Sequence, residues 1–308
     1  MTKFELRQYT LLFITAVIWG TGFVGQKLGM DHVEPFTFTF ARTLIGGLFL
    51  LPVMALMDAA KCRRGVTIHR SNRRMLFWGS VCCGLCLITA ESFQQFGVAL
   101  SDVTKSSFIT ALYVVFVPIF GIALGRWPSF KIAVCVALSV AGLYLLCIKD
   151  ELRFTAGDLL LLIGAAIFAV HILVIAYFVA RVDGVALSCG QFFVASFLGL
   201  IMMLATGGDT WENFCAAAPA FIYCGLMSNG VAYTLQVVGQ RGVNSTIATL
   251  ILSLESVTGT FFGIVLLGES PSLRQLLGCA LMFCAVILSQ IPLKTLLSPL
   301  ARKQRAAE

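Results

Sequence analysis

Charge is scarce in this sequence. Asp, Glu, Lys and Arg make up 12% of its 308 residues and apolar residues 58%, whereas a soluble domain carries about 25% charged residues. Such a chain cannot clothe a water-facing surface, so a bilayer is its expected solvent. Histidine is rare too, with three residues. No His/Glu or second Cys/His pair stands at metal-ligand spacing, so no metal site is expected. No glycine-rich phosphate loop and no nucleophile elbow occur, which leaves no signature of nucleotide-driven or hydrolytic chemistry, and neither an enzyme nor a cofactor is expected.

Cysteine is abundant, with eleven residues, but its placement argues against a disulfide framework. Cys82, Cys83, Cys86, Cys135, Cys147, Cys224, Cys279 and Cys284 lie inside apolar runs, where cysteine behaves as a small hydrophobe. The 28 glycines suit close helix packing in lipid. Lys3 and Arg7 precede an apolar run to Leu28 that is too long for a signal peptide and reads as a retained first helix.

A membrane-crossing helix needs about 20 apolar residues. Ten segments qualify, near 8–29, 36–57, 75–99, 104–124, 129–148, 157–180, 185–206, 217–239, 244–267 and 273–291. The expected class is therefore an all-α polytopic membrane protein. With the N-terminus in the cytoplasm and ten alternating spans, sixteen Lys and Arg residues fall on the cytoplasmic side and five on the other. That asymmetry places both termini inside, at the cytoplasmic (inner) membrane. It also reads the net charge of +7 as a topology signal rather than a nucleic-acid footprint.

The stretch Gln94–Pro128 returns in altered form from Gln236. Val103-Thr104 matches Val243-Asn244, and Pro128-Ser129 matches Pro271-Ser272. The two matches fall slightly out of step, which implies a small gap between the copies. Ile18-Trp19-Gly20 and Arg42 match Ile167-Phe168-Ala169 and Gln191 more weakly. The chain thus divides into a first repeat over 1–150, a second over 151–293 and a short basic cytoplasmic tail over 294–308. Each repeat holds five helices, an odd number, so the second enters the membrane inverted. Inverted repeats in polytopic proteins point to transport at a midplane site between the halves.

Several motifs carry a family likeness: Trp19-Gly20-Thr21-Gly22-Phe23, Ala41-Arg42, Phe108 to Pro118, Ala232-Tyr233-Thr234-Leu235-Gln236, Leu252-Ser253-Leu254-Glu255 and Leu267-Gly268-Glu269. On these the chain resembles the EamA family of the drug/metabolite transporter superfamily. Ser256 stands where that family often has Pro, and Arg126 replaces its first loop Glu. The resemblance implies a ten-helix basket whose central cavity lies between helices one, three, four, six, eight and nine. It also implies carriage of small organic metabolites such as amino acids, with export the expected direction. A passive channel or facilitator and a non-transporting membrane subunit are the alternatives.

Ionisable groups inside the membrane are costly and mark function by default. Four lie well inside the spans, away from their ends: Arg42, Glu91, His171 and Glu255. Depth along the helices favours a buried ion pair between Arg42 and Glu91. Glu91, Gln94 and Gln95 share one helix face, as do Asn229, Tyr233 and Gln236. Thr249, Ser253, Ser256 and Thr260 give the ninth helix a hydroxyl-rich face from which Glu255 is offset. Trp19, Phe23 and Tyr113 are expected to complete an aromatic and amide wall with the eighth-helix residues, and His171 and Ser253 complete the candidate cavity set. Glu255 is the candidate carrier of a coupling proton. Pro118 removes a backbone bond and is expected to bend the fourth helix. The partners implied are a small-molecule substrate and the lipid bilayer.

Overall fold

The computed structural model of the chain describes residues 2–63, 72–147, 155–267 and 272–290. Among the described residues the secondary structure is helical throughout. Ten spans run in order: α1 Lys3–Gly29, α2 Pro35–Arg63, α3 Arg73–Ala99, α4 Val103–Ala123, α5 Phe130–Cys147, α6 Ala156–Val179, α7 Gly184–Ala205, α8 Trp211–Gly239, α9 in two segments, Ser245–Leu252 and Glu255–Leu267, and α10 Leu273–Gln290. Eight are long and apolar enough to cross a membrane outright. At 18 residues, α5 and α10 reach about 27 Å, close to the ~30 Å hydrocarbon core. The junction of the repeats and the basic tail fall partly or wholly outside the described residues, as do Lys149–Arg153, Gly268-Glu269 and most of the loop between Lys61 and Arg74.

Contacts at the helix ends establish alternation. Gln8 near the start of α1 donates to the carbonyls of Val238 and Arg241 at the end of α8, at 2.8 and 2.9 Å. Lys27 at the opposite end of α1 donates to Val98, Ala99 and Ser101 where α3 finishes. We call the end holding the start of α1 the near face and the other the far face. Caps set the starts: Thr2 with Glu5 and Thr155 with Asp158 form capping boxes on α1 and α6, each satisfying two otherwise orphaned donors.

The packing follows a pseudo-two-fold axis that exchanges each helix with the one five places on. Three helices pack on their own counterparts: α2 on α7, α4 on α9 and α5 on α10. The others pair crosswise, α3 with α6 and α7 as α8 with α1 and α2, and α1 with α9 as α6 with α4. Close approach rests on small residues. A Cβ on Gly142 of α5 would stand 2.7 Å from the Gly278 carbonyl of α10, and one on Gly97 of α3 would stand 2.4 Å from Leu161 of α6.

The structure corrects the register. The N-caps Asp102 of α4 and Asn244 of α9 are the matching pair, so Val103 is equivalent to Ser245 and not to Val243. The turn before α9 passes through Gly242 at φ +73°, and this different approach displaced the sequence match. The fourth helix does break, but not at Pro118. The break lies at Leu112, between segments Val103–Ala111 and Tyr113–Ala123. Helix α9, which has no proline, breaks at the equivalent place before Glu255. The break therefore belongs to the repeat and not to the proline. A third irregularity lies in α8, where Cys224–Tyr233 form a π-helix, a wide form usually confined to single turns. Its glycines lie tight on α2: a Cβ on Gly225 or Gly230 would stand 2.7 Å from Ile45 or Phe49.

Candidate substrate cavity

The breaks and the π-helix meet at the centre, around a small cavity with polar and aromatic walls. Its walls are Trp19, Phe23 and Gln26 of α1, Arg42 of α2, Gln94 of α3, and Thr110 and Tyr113 beside the α4 break. Phe168 and Ile172 of α6, Ser228, Tyr233 and Gln236 of α8, and Glu255 of α9 complete them. All six helices of the implied cavity contribute, and α2 adds Arg42.

Arg42 and Glu91 form an ion pair: Arg42 Nη2 lies 3.2 Å from Glu91 Oε1, and both side chains are almost wholly buried. The π-helix turns Asn229 onto the same carboxylate, with Nδ2 donating at 3.4 Å, and the Tyr233 phenol stands beside it. The pair is not saturated. Arg42 Nε and Glu91 Oε2 have no hydrogen-bond partner, and Nη2, though close, lacks bond alignment with the carboxylate. The guanidinium keeps N–H groups for a further acceptor.

Glu255 is the first residue of its helical segment and is 3% exposed. The Tyr113 phenol stands beside it. No ion pair among the described residues includes Glu255. Its Oε1, Tyr113 Oη and Gln236 Oε1 are buried without partners.

Aromatic rings form part of the wall. Trp19 meets Tyr233 edge-on with centroids 4.7 Å apart and donates Nε1–H to the Ser228 carbonyl at 3.4 Å. Gln94 donates to Thr110 Oγ1 at 3.3 Å. The cavity encloses about 30 Å³. A water needs roughly 10–15 Å³ and a ligand pocket has ~300–1,000 Å³, so this conformation has room for water and not for a metabolite.

Other expected residues lie behind this wall. Gln95 donates to the Gln26 carbonyl at 3.4 Å. His171 Nε2 is 2.9 Å from Gln191 Oε1, and Glu91 and Asn229 are wholly buried. Helix α9 breaks within its series of hydroxyl residues, and all four are buried. Ser253 bonds the Leu250 carbonyl, Thr249 that of Thr246, Thr260 that of Ser256, and Ser256 that of Ser107. Gln26, Thr110, Phe168, Ile172 and Ser228 were not legible as cavity residues. The amide and hydroxyls among them lack charge, and Phe168 and Ile172 look like packing.

Comparison with known proteins agrees with this architecture. A transporter of Archaeoglobus fulgidus described as uncharacterized is 28% identical, over 90% of this chain and 83% of its own. The uncharacterized transporter YwfM of Bacillus subtilis is 24% identical, over 96% and 95%. A solved crystal structure superposes with a TM-score of 0.71 over 92% of this chain and 96% of that one, at 17% identity, which establishes the fold. The EamA-like transporter family matches residues 6–148 and 155–290, nearly the whole of both halves. The ten spans, the inverted pairing of the halves and this match together make the chain a membrane protein of the EamA-like transporter family.

Proposed function

We propose that the protein is a secondary transporter that moves small organic zwitterions, amino acids above all, across the cytoplasmic membrane by alternating access, with export as its working direction. The observation that supports this best is the narrow central cavity, to which both repeats contribute polar side chains. Arg42 suits a carboxylate, since a guanidinium donates to planar oxygen pairs. Glu255, which lines the same cavity, suits an ammonium group. Trp19, Phe23, Phe168 and Tyr233 suit an apolar side chain. A cavity of about 30 Å³ admits such a ligand only if the halves part, and in inverted-repeat carriers that parting is a rocking of one repeat on the other. Glu255, lacking a cationic partner, is also the group we assign to proton coupling.

The experiment is counterflow in proteoliposomes. Vesicles loaded with unlabelled amino acid should transiently concentrate the labelled one. A passive facilitator equilibrates without overshoot, and a non-transporting subunit shows no uptake above empty vesicles; either result rejects the proposal. Right-side-out and inverted membrane vesicles, compared under the same gradient, test the direction.

A further inference from the structure

Outside the central cavity the halves leave a second, matched pair of spaces that open sideways. One, of about 550 Å³, lies among α1, α8 and α9 towards the far face and is lined by Thr21, Val24, Gly25, Leu28, Phe262 and Leu266 among others. The other, of about 470 Å³, lies among α3, α4 and α6 towards the near face, and its walls include Val170, Leu173, Val174, Tyr177, Phe120 and Leu124. These are the same positions of the two repeats. The register that aligns Arg42 with Gln191 pairs the first four of each set in order. The register that aligns Asp102 with Asn244 pairs the last two. The pseudo-axis therefore generates both clefts, one at each membrane face.

Their mouths have diverged. Asp31 and His32 line the far cleft. The equivalent residues at the near cleft are Ala180 and Arg181, so an acid is lost and a permanent cation gained. Arg181 is exposed. Its guanidinium lies 3.9 Å above the ring of Tyr177, itself a cleft residue, and donates to the Tyr177 carbonyl. The stacked cation is held at the rim of a trough that is otherwise almost wholly apolar. Arg126 stands just past Leu124 at the same face and is also exposed. Apolar walls, lateral access from the bilayer and a fixed guanidinium at headgroup depth suit an amphiphile with a hydrocarbon tail and an anionic head. A guanidinium binds phosphate oxygens bidentately, and cations beside a span attract anionic lipid.

We propose that the near-face cleft binds one acyl chain of an anionic phospholipid, with its phosphate held by Arg181. The far-face cleft, with Asp31 at its mouth, does not share this preference. The site is separate from the substrate cavity and does not depend on the transport reading.

The test is native mass spectrometry of the full chain, released from micelles containing phosphatidylglycerol or phosphatidylcholine with the same acyl chains. Wild type should retain a phosphatidylglycerol adduct in preference to phosphatidylcholine. Arg181→Ala, at an exposed position that should not affect folding, should lose that preference. Ala123→Phe, which fills the near cleft from an exposed position, should lose the adduct itself. Ala216→Phe, in the far cleft, should keep it. Equal retention of the two lipids by wild type, an undiminished preference in Arg181→Ala, or detergent alone in the cleft would each overturn the proposal.

Discussion

Tyr113 and Glu255 occupy one and the same position of the two repeats and stand side by side at the centre of the molecule. Each opens the second segment of a broken helix. Glu91 and Tyr233 are likewise equivalent to each other, and they also meet. A position near a two-fold axis faces its own copy, so an unchanged glutamate would face a second buried carboxylate. The repeats have instead become Glu and Tyr at both places, in opposite senses. Restoring the symmetry should be harmful. Tyr113→Glu should cost about 3–5 kcal/mol, as for an uncompensated buried charge, whereas Tyr113→Phe, which removes a buried oxygen that has no hydrogen-bond partner, should melt close to wild type. Thermal unfolding of the purified variants reads both.

Removing Arg42 strands Glu91 in a site where its side chain is 0% exposed. Arg42→Ala should lower stability by about 3–5 kcal/mol, and adding Glu91→Gln should recover part of that loss. A double-mutant cycle on melting temperature separates coupling from simple addition. Additive losses would mean that the 3.2 Å approach carries no energy.

Glu255→Gln keeps the shape of the side chain and removes its titration. The variant should fold and catalyse one-for-one exchange at a rate close to wild type. Accumulation driven by an imposed pH gradient should disappear. Both modes are measured in liposomes with radiolabelled amino acid, and wild-type accumulation by the variant would exclude Glu255 as the coupling group.

Two native cysteines report orientation. Cys62, near the end of α2, and Cys215, near the start of α8, are exposed at opposite faces. With both termini cytoplasmic, an impermeant maleimide should label Cys215 in intact cells and Cys62 only after permeabilisation. Peptide mass spectrometry locates the label, and the reverse pattern would invert the assigned topology.

The α5–α10 contact should be intolerant of even one methyl group. Gly142→Ala places a Cβ 2.7 Å from the Gly278 carbonyl and 3.0 Å from the Met282 amide, both backbone atoms with little freedom to retreat. The expected cost is about 1–3 kcal/mol. Gly121→Ala, whose Cβ meets only the Arg126 carbonyl at 3.5 Å, should melt close to wild type.

Hydropathy alone made the ten spans readable, because lipid forces every backbone bond to close within its helix. The costly residues Arg42, Glu91 and Glu255 stood out for the same reason. The breaks at Leu112 and before Glu255 were not readable, since neither carries a Pro or Gly to mark it. Pro118 drew attention to the right helix and the wrong turn. The meeting of Tyr113 with Glu255 was hidden by the misplaced register, which paired Val103 with Val243 instead of Ser245. The π-helix left no composition signal either, so the spacing of Asn229, Tyr233 and Gln236 was read as an ordinary helix face.

The matched clefts at the two faces have a mechanical consequence. If one repeat takes up the shape of the other, the molecule becomes its own mirror in function, opening on one side where it had closed on the other. A substitution in one repeat and its counterpart in the other should then bias the conformational balance in opposite directions. Val24→Trp and Leu173→Trp, at equivalent positions of the two clefts, are such a pair. Combined in one chain they should nearly cancel in their effect on sidedness while adding in their effect on stability. The paired repeats thus provide a built-in control experiment, in which each half calibrates the other.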